Sequence, residues 1–437
     1  MLRKKPEFGS AGDWRQGGFT LAELLVSMVV LVQILLIALL MFDFNSRVTR
    51  VQTNLAEMQQ SLRVGQQELV RMTRMTGRSG LPVTNPIAPV GGPTPAARLA
   101  VQVINNVTGD TRKVVPGEAT TPLALEGSDI LVLRGNFSSP LFSVTLLGVD
   151  DRANPTQGQI LVRRVDPDHP EQDLSALTEA ENGEIPEALI LLPSTPGVAF
   201  AVLELVPSTT GDTADEITLD FRVRGTDAAD AYHALWTNDP DNTAFPMIDG
   251  APGYAAILEE YRFYVINDGG DAAETARPRL ARARLLPGTD LAYGDPTAPD
   301  PLAASLRTDI ADNILDLQVA LGFDTDIDGD VIGPDGLGTI FENIAGSGVD
   351  DDWLYNSADD DATDTPFLVA DRADAPRLYF VRVTTLARSA RPERTDEEPI
   401  LNALEDHTYP ADGLVNSTNG RKYRRSFLQT TVDLRNL

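Results

Sequence analysis

The stretch "DTDIDGDVIGPD", residues 324–335, puts carboxylates where a hard cation could be held. Asp324, Asp326, Asp328 and Asp330 alternate, Gly329 sits where a calcium loop turns sharply, and Asp335 stands at the twelfth position in place of the usual bidentate Glu. Alternate side chains of such a loop converge on one ion, so these five residues are the candidate ligands and calcium is the candidate cofactor. The flanks read as strand and loop, which predicts an EF-hand-like loop in a different fold. The competing reading is an acidic surface turn. A second acidic group, Asp350 to Asp352 with Asp359 to Asp361 and Asp364, lacks the alternate spacing and reads as solvated loop.

Nothing else in the chain has the spacing of a catalytic centre. His169, His233 and His407 stand in unrelated Pro/Asp-rich or loop contexts, with no H-E-x-x-H, G-x-S-x-G or phosphate loop nearby, and each reads as an isolated exposed histidine. There is no cysteine, hence no thiolate and no disulfide. No catalytic residue is assigned, and the chain does not read as an enzyme. A net charge of -28 repels nucleic acid and anionic lipid at long range. The basic cluster Arg421, Lys422, Arg424 and Arg425 therefore reads as a balance for local acids or a contact to a neighbouring subunit, ahead of a DNA contact.

The elements that position these residues begin with an apolar run, "GGFTLAELLVSMVVLVQILLIALLMF", from Gly17 to Phe42. Within it, Leu24 to Phe42 carries no formal charge, and its 19 residues make about 28 Å of helix against a hydrocarbon core of roughly 30 Å. Residues 1–18 are net basic, which places them on the cytoplasmic side. Glu23 is the anomaly, because a carboxylate in a bilayer costs several kcal/mol unless it is paired. Small residues that could mark a cleavage site, Gly17 and Gly18, precede the apolar run, whereas a secretory signal places them after it.

Beyond Phe44 the apolar pattern becomes periodic: Val48, Val51, Leu55, Met58, Leu62, Gly65, Leu69 and Met72 lie on one helical face, with Arg50, Glu57, Gln60, Gln67 and Arg71 opposite. The spacing predicts one helix from Phe19 to Thr76, ended by Gly77, Gly80 and Pro82. A coiled coil is the competing reading of the stripe, weakened by Gly65.

The stretch Gly18-Phe19-Thr20-Leu21-Ala22-Glu23-Leu24-Leu25-Val26 closely resembles the N-terminal signal of type IV pilins and pseudopilins. The resemblance implies that a prepilin peptidase cuts after Gly18 and methylates the new amine of Phe19. It also implies an assembly role for Glu23, neutralising such an amine on a neighbouring subunit. "NILDLQVALGFDTDIDGD", "FVRVTTLARS" and "YRRSFLQTTVDLRNL" resemble the C-terminal part of PilW-like minor pilins. Many major pilins close a C-terminal loop with a disulfide; lacking cysteine, this chain calls for another staple.

The expected fold class is α+β: a pilin-type helix, membrane-spanning over about 19–42 and amphipathic after it, packed on an antiparallel β-rich head with large loop insertions. The expected segments are a leader at 1–18, the helix at 19–76, a Pro/Gly-rich linker at 77–95 and an acidic head at 96–437, with room for an inserted subdomain over about 100–250. Strands are predicted at Arg98 to Ile104, Asp129 to Leu133, Gln159 to Val165, Ala188 to Leu192, Ala199 to Leu205 and Glu216 to Val223. Tyr261 to Ile266 and Arg279 to Leu285 read as a strand pair, and Arg377 to Leu386 and Tyr423 to Leu434 as the two clearest later strands.

The implied role is a minor pilin that helps initiate or cap pilus assembly and displays its head, held first in the inner membrane and then in a filament or its tip. The implied partners are prepilin peptidase, other major and minor pilins, an inner-membrane assembly platform and the membrane itself, with nucleic acid disfavoured by charge. Two alternatives remain open from sequence: a minor pseudopilin of a type II secretion system, and a membrane-anchored extracytoplasmic binding protein.

Overall fold

The computed structural model describes residues 20–76, 100–114, 122–137, 141–150, 157–163, 174, 188–193, 201–206, 216–223, 247, 249–270, 272–285, 307–324, 353–355, 377–392, 397–405 and 407–433. It is α+β, as the pattern predicts: one long helix followed by antiparallel strands. Helix α1 runs from Leu21 to Met75 and is cut by compactness at Asn54. The described part of the first unit is helix from Leu21 onward. Its apolar stretch is exposed all round, with Leu24, Leu31, Leu35 and Leu39 each more than half accessible. A helix that is apolar on every face and, among the described residues, unburied satisfies its backbone internally and is long and apolar enough to cross a membrane.

From Leu55 the helix belongs to the second unit, where Met58, Leu62, Leu69 and Met72 are buried. Each such side chain contributes about 1.5–3 kcal/mol of burial. At Gly65 the helix lies close against the sheet: a Cβ there would lie 3.1 Å from Leu280 and 3.5 Å from Ala311. It is thus a close-approach position on the buried face rather than a break in it. Gln66, also buried, donates from Nε2 to the carbonyl of Val383 at 2.9 Å and accepts from the hydroxyl of Thr385 at 3.1 Å. The helix ends where the Thr76 hydroxyl turns back to the carbonyl of Met72.

The strands in chain order are β1 (Val101–Ile104), β2 (Ile130–Gly135), β3 (Phe142–Val149), β4 (Gln157–Arg163), β5 (Ala188–Pro193) and β6 (Ala201–Val206). They continue with β7 (Glu216–Val223), β8 (Pro252–Asn267), β9 (Pro278–Leu285), β10 (Thr308–Asp312) and β11 (Ile314–Asp324). Last come β12 (Trp353–Tyr355), β13 (Arg377–Arg388), β14 (Ala403–Leu404), β15 (His407–Thr408) and β16 (Arg425–Asp433). The expected pair around Tyr261 and Arg279 is β8 with β9, joined in antiparallel register from Glu260 opposite Leu285 to Asn267 opposite Pro278.

Three groupings follow. In the first, β1, β2, β8, β9 and β10 pair in that order. One face of this sheet meets α1, and the other is covered by Val107, Val114 and Ala124, so β8 is buried almost continuously instead of alternately. In the second, β12, β11, β13 and β16 form a sheet that lays Leu317, Val319, Val381, Val383 and Val432 against the same helix core. Asn313, at φ 61°, turns the chain from β10 into β11 and so from one sheet to the other.

The third grouping is a closed barrel. The pairings β8–β3, β3–β4, β4–β7, β7–β6, β6–β5 and β5–β8 return to their starting strand. Alternate residues Phe142, Val144 and Leu146, Ile160 and Val162, and Ile217, Leu219 and Phe221 fill it. A bulge between Leu146 and Gly148 bends β3 at the rim. Only the first half of β8 enters the barrel; the second half lies in the first sheet.

Candidate functional site

Two places carry the residues singled out by sequence. The first is the start of α1. Thr20 is the residue before the helix, and its hydroxyl accepts from the amide of Glu23 at 3.2 Å. The Glu23 carboxylate reaches back and accepts from both the amide and the hydroxyl of Thr20, each at 3.0 Å. This is a reciprocal capping box, T-x-x-E, with the negative charge also placed at the positive end of the helix dipole. Two donors at the helix start thereby acquire acceptors. The signal for this box is local, the "TLAE" spacing of Thr20 and Glu23, and it gives Glu23 a capping role beyond that of a charge in need of an amine. Gly18 and Phe19 lie outside the described residues.

The second is the outer face of the β11–β13–β16 sheet, where the chain makes an excursion between β13 and β16. His407 is not the isolated, exposed residue predicted. Its side chain is 15% accessible, and Nδ1 lies 2.7 Å from Oδ2 of Asp316, a carboxylate 1% accessible on β11. The Tyr409 hydroxyl donates to the same oxygen. The other oxygen of Asp316 accepts from the amide of Leu317 at 2.8 Å and from Gln318 at 3.1 Å. Burial, followed by the charge of Asp316, pushes the Tyr409 hydroxyl well above the ordinary phenol range. The partner of His407 is 91 residues away in sequence, so no local signal could have found it.

Glu405 makes a second fastening. Held at φ 51°, it accepts from Arg382 at 2.7 Å, Thr384 at 2.8 Å and Gln429 at 2.7 Å, taking one donor from β13's guanidinium, one from its hydroxyl and one from β16. Asn416 makes a third, bonding both the amide and the carbonyl of Leu401 and reaching the carbonyl of Tyr409. Beneath them Leu315, Leu386, Tyr409 and Val415 form a small apolar cluster. Together these contacts clamp residues 397–424 on the sheet without a disulfide, in a chain with no cysteine.

Beside the clamp is a cleft of about 630 Å³, lined among others by Leu125, Gly127, Leu315, His407, Tyr409 and Asp412. The Asp316–His407 pair has the orienting half of a general-base dyad. Its outer nitrogen, however, faces Gly127, where an added Cβ would fall 2.2 Å from Nε2. That nitrogen meets backbone, and the arrangement works as a fastening. The basic cluster is likewise absorbed locally: Arg421 pairs with Glu397 at 2.6 Å, Lys422 bonds Asn419 at 2.9 Å, and Arg425 reaches the carbonyls of Pro399 and Val415.

Of the five candidate calcium ligands only Asp324 is described, as the last residue of β11; Asp326, Asp328, Asp330 and Asp335 lie outside the described residues, as do His169, His233 and the proposed linker at 77–95. Among the described residues, no group of three or more His, Asp or Glu is arranged to hold a metal.

Residues 263–436 match the family model for type IV pilus-assembly protein W. This region is PilW-like. The PilW-like segment begins inside β8 and takes in β9 to β16, hence the whole clamp, while the closed barrel ends before it. No curated protein and no solved structure matches the chain.

Proposed function

We propose that this protein is a minor pilin of a type IV pilus, anchored by the first part of α1 and displaying the β-rich head. The observation that carries the reading is a single helix of 55 residues whose first stretch is apolar and exposed all round, and whose last turns are packed into a head with a PilW-like C-terminal region. The same helix thus has a part suited to lipid, or to other helices of its kind, and a part committed to its own head. The PilW match favours a pilus over a type II secretion pseudopilin.

In this reading prepilin peptidase removes residues 1–18, and the amine of Phe19 then lies one residue before the Thr20 amide that Glu23 already holds. The capping box thereby aims the carboxylate at the end of the chain where the amine is created. A neighbouring subunit's amine would compete for the same oxygen, making the charge pair a test of axial register. Mass spectrometry of the mature protein should find an N-terminus at methylated Phe19; an intact Met1 defeats the reading. Glu23→Ala should leave membrane insertion and cleavage intact and lower incorporation into pili about tenfold. Unchanged incorporation would remove Glu23 from assembly.

A further inference from the structure

We infer that the closed barrel spanning residues 142–258 is a self-contained module inserted at the tip of a β-hairpin, and that the rest of the head folds and assembles without it. The inference rests on the pilin reading for its assembly arm alone.

Four observations point to it. Among the described residues the barrel's pairings close on themselves, leaving no open sheet edge that another part of the head must complete. Its core shares no residue with the two cores of the sheets around β2 and β8, for Ala255 and Ile257 face the barrel while Tyr261, Phe263 and Val265 face α1. The two strands that lead into and out of it are register partners: Gly135 at the end of β2 sits opposite Glu259 in β8. Cross-strand partners lie about 5 Å apart, a gap that a two-residue turn closes. Finally, the PilW match starts at residue 263, beyond the barrel.

The seam between module and head is polar. Glu260 accepts from Arg134 at 2.7 Å and from Arg262 at 3.0 Å, and Glu259 accepts from the amide of Phe137 at 3.0 Å. Arg134, Arg262, Glu259 and Glu260 all sit on β2 and the second half of β8, and so remain together when the barrel is removed. The module is also chemically distinct. Residues 142–258 hold 20 acidic and five basic residues, with no lysine, and so more than half of the chain's net charge. Its own surface attracts cationic partners and repels polyanions at a distance.

The test uses the full-length chain in detergent micelles. Calorimetry should resolve two transitions. Phe221→Ala, in the barrel core, should lower one midpoint by at least ~5 °C, and Phe263→Ala, against α1, should lower the other by a similar amount. Replacing residues 136–258 by an Asn-Gly turn should abolish the first transition and leave the second, with incorporation into pili within about twofold of the parent. A single transition moved by both substitutions overturns the inference. So does loss of all cooperative melting in both this variant and a version joined by six Gly/Ser residues. Loss of incorporation with the second transition intact overturns the assembly arm. If the parent itself is never cleaved or incorporated, the pilin reading fails while the calorimetric result stands.

Discussion

Asp316→Ala should loosen the clamp on the outer sheet face, and the structure sets the size of the effect. The side chain is 1% accessible and accepts four hydrogen bonds. Two are local to β11 and partly replaceable: the Gln318 amide also donates to the carbonyl of Gly127 at 2.9 Å. The other two, from His407 and Tyr409, hold the excursion to the sheet and have no second acceptor among the described residues. Hydrogen bonds to a charged acceptor contribute about 1.5–3 kcal/mol each, and leaving two buried donors without it adds desolvation. Removing the carboxylate also removes a buried charge, which returns part of that. A net loss of about 3–5 kcal/mol follows, in line with breaking a buried pair from one side. Urea unfolding of the full-length protein in micelles measures it as a shift in midpoint at constant slope. Trypsin offers a local readout, because Arg421 and Lys422 sit in the released segment. Tyr409→Phe should lose about half as much, since it deletes one donor and keeps the ring. A loss below about 1 kcal/mol for Asp316→Ala, with unaltered tryptic cleavage, would refute the claim that this carboxylate fastens the segment.

Two further outcomes follow from buried polar groups. Gln66→Ala takes one donor from the Val383 carbonyl, which also lies within the β13 ladder, and leaves the Thr385 hydroxyl only the carbonyl of Leu428 at 3.5 Å, so it should destabilise by about 1–3 kcal/mol, measured in the same urea experiment. Burial raises the hydroxyls of Tyr264 and Tyr409 above the ordinary phenol value. The folded chain therefore keeps protons that the unfolded chain releases near pH 10. Stability should hold below that pH and fall above it by about 1.4 kcal/mol per pH unit for each hydroxyl, and Tyr264→Phe should remove one increment of the slope.

What could be read from the sequence was mostly what depends on neighbours in sequence. The helical stripe found Met58, Leu62, Leu69 and Met72, all buried, and the helix end at Thr76 fell within a residue of Met75. The run Glu216 to Val223 coincides with β7. Val48 and Leu55, on the same stripe, are 37% accessible, because periodicity gives a face and not the point where a partner begins. β3 was passed over, and β8 was expected only from Tyr261 although it starts at Pro252. Glu259 and Glu260 look like a solvent-facing interruption; they are buried because arginines on β2, β8 and β9 meet them. Arg134, paired with Glu260 across 126 positions, leaves no periodic trace, and for the same reason the Asp316–His407 contact, across 91, is invisible in the sequence.

The shared strand β8 also decides how the head bears load. A pull on the barrel reaches the rest of the head along β8, which lies lengthwise between β2 and β9 with five partner positions on one side and eight on the other. A strand drawn along its own axis must shear those bonds together, whereas a strand peeled from an end opens them one at a time. Tension applied to the barrel through β8 would thus be met by the stiffer geometry, and β8, which makes the two folds continuous, is one of the two strands that tether them.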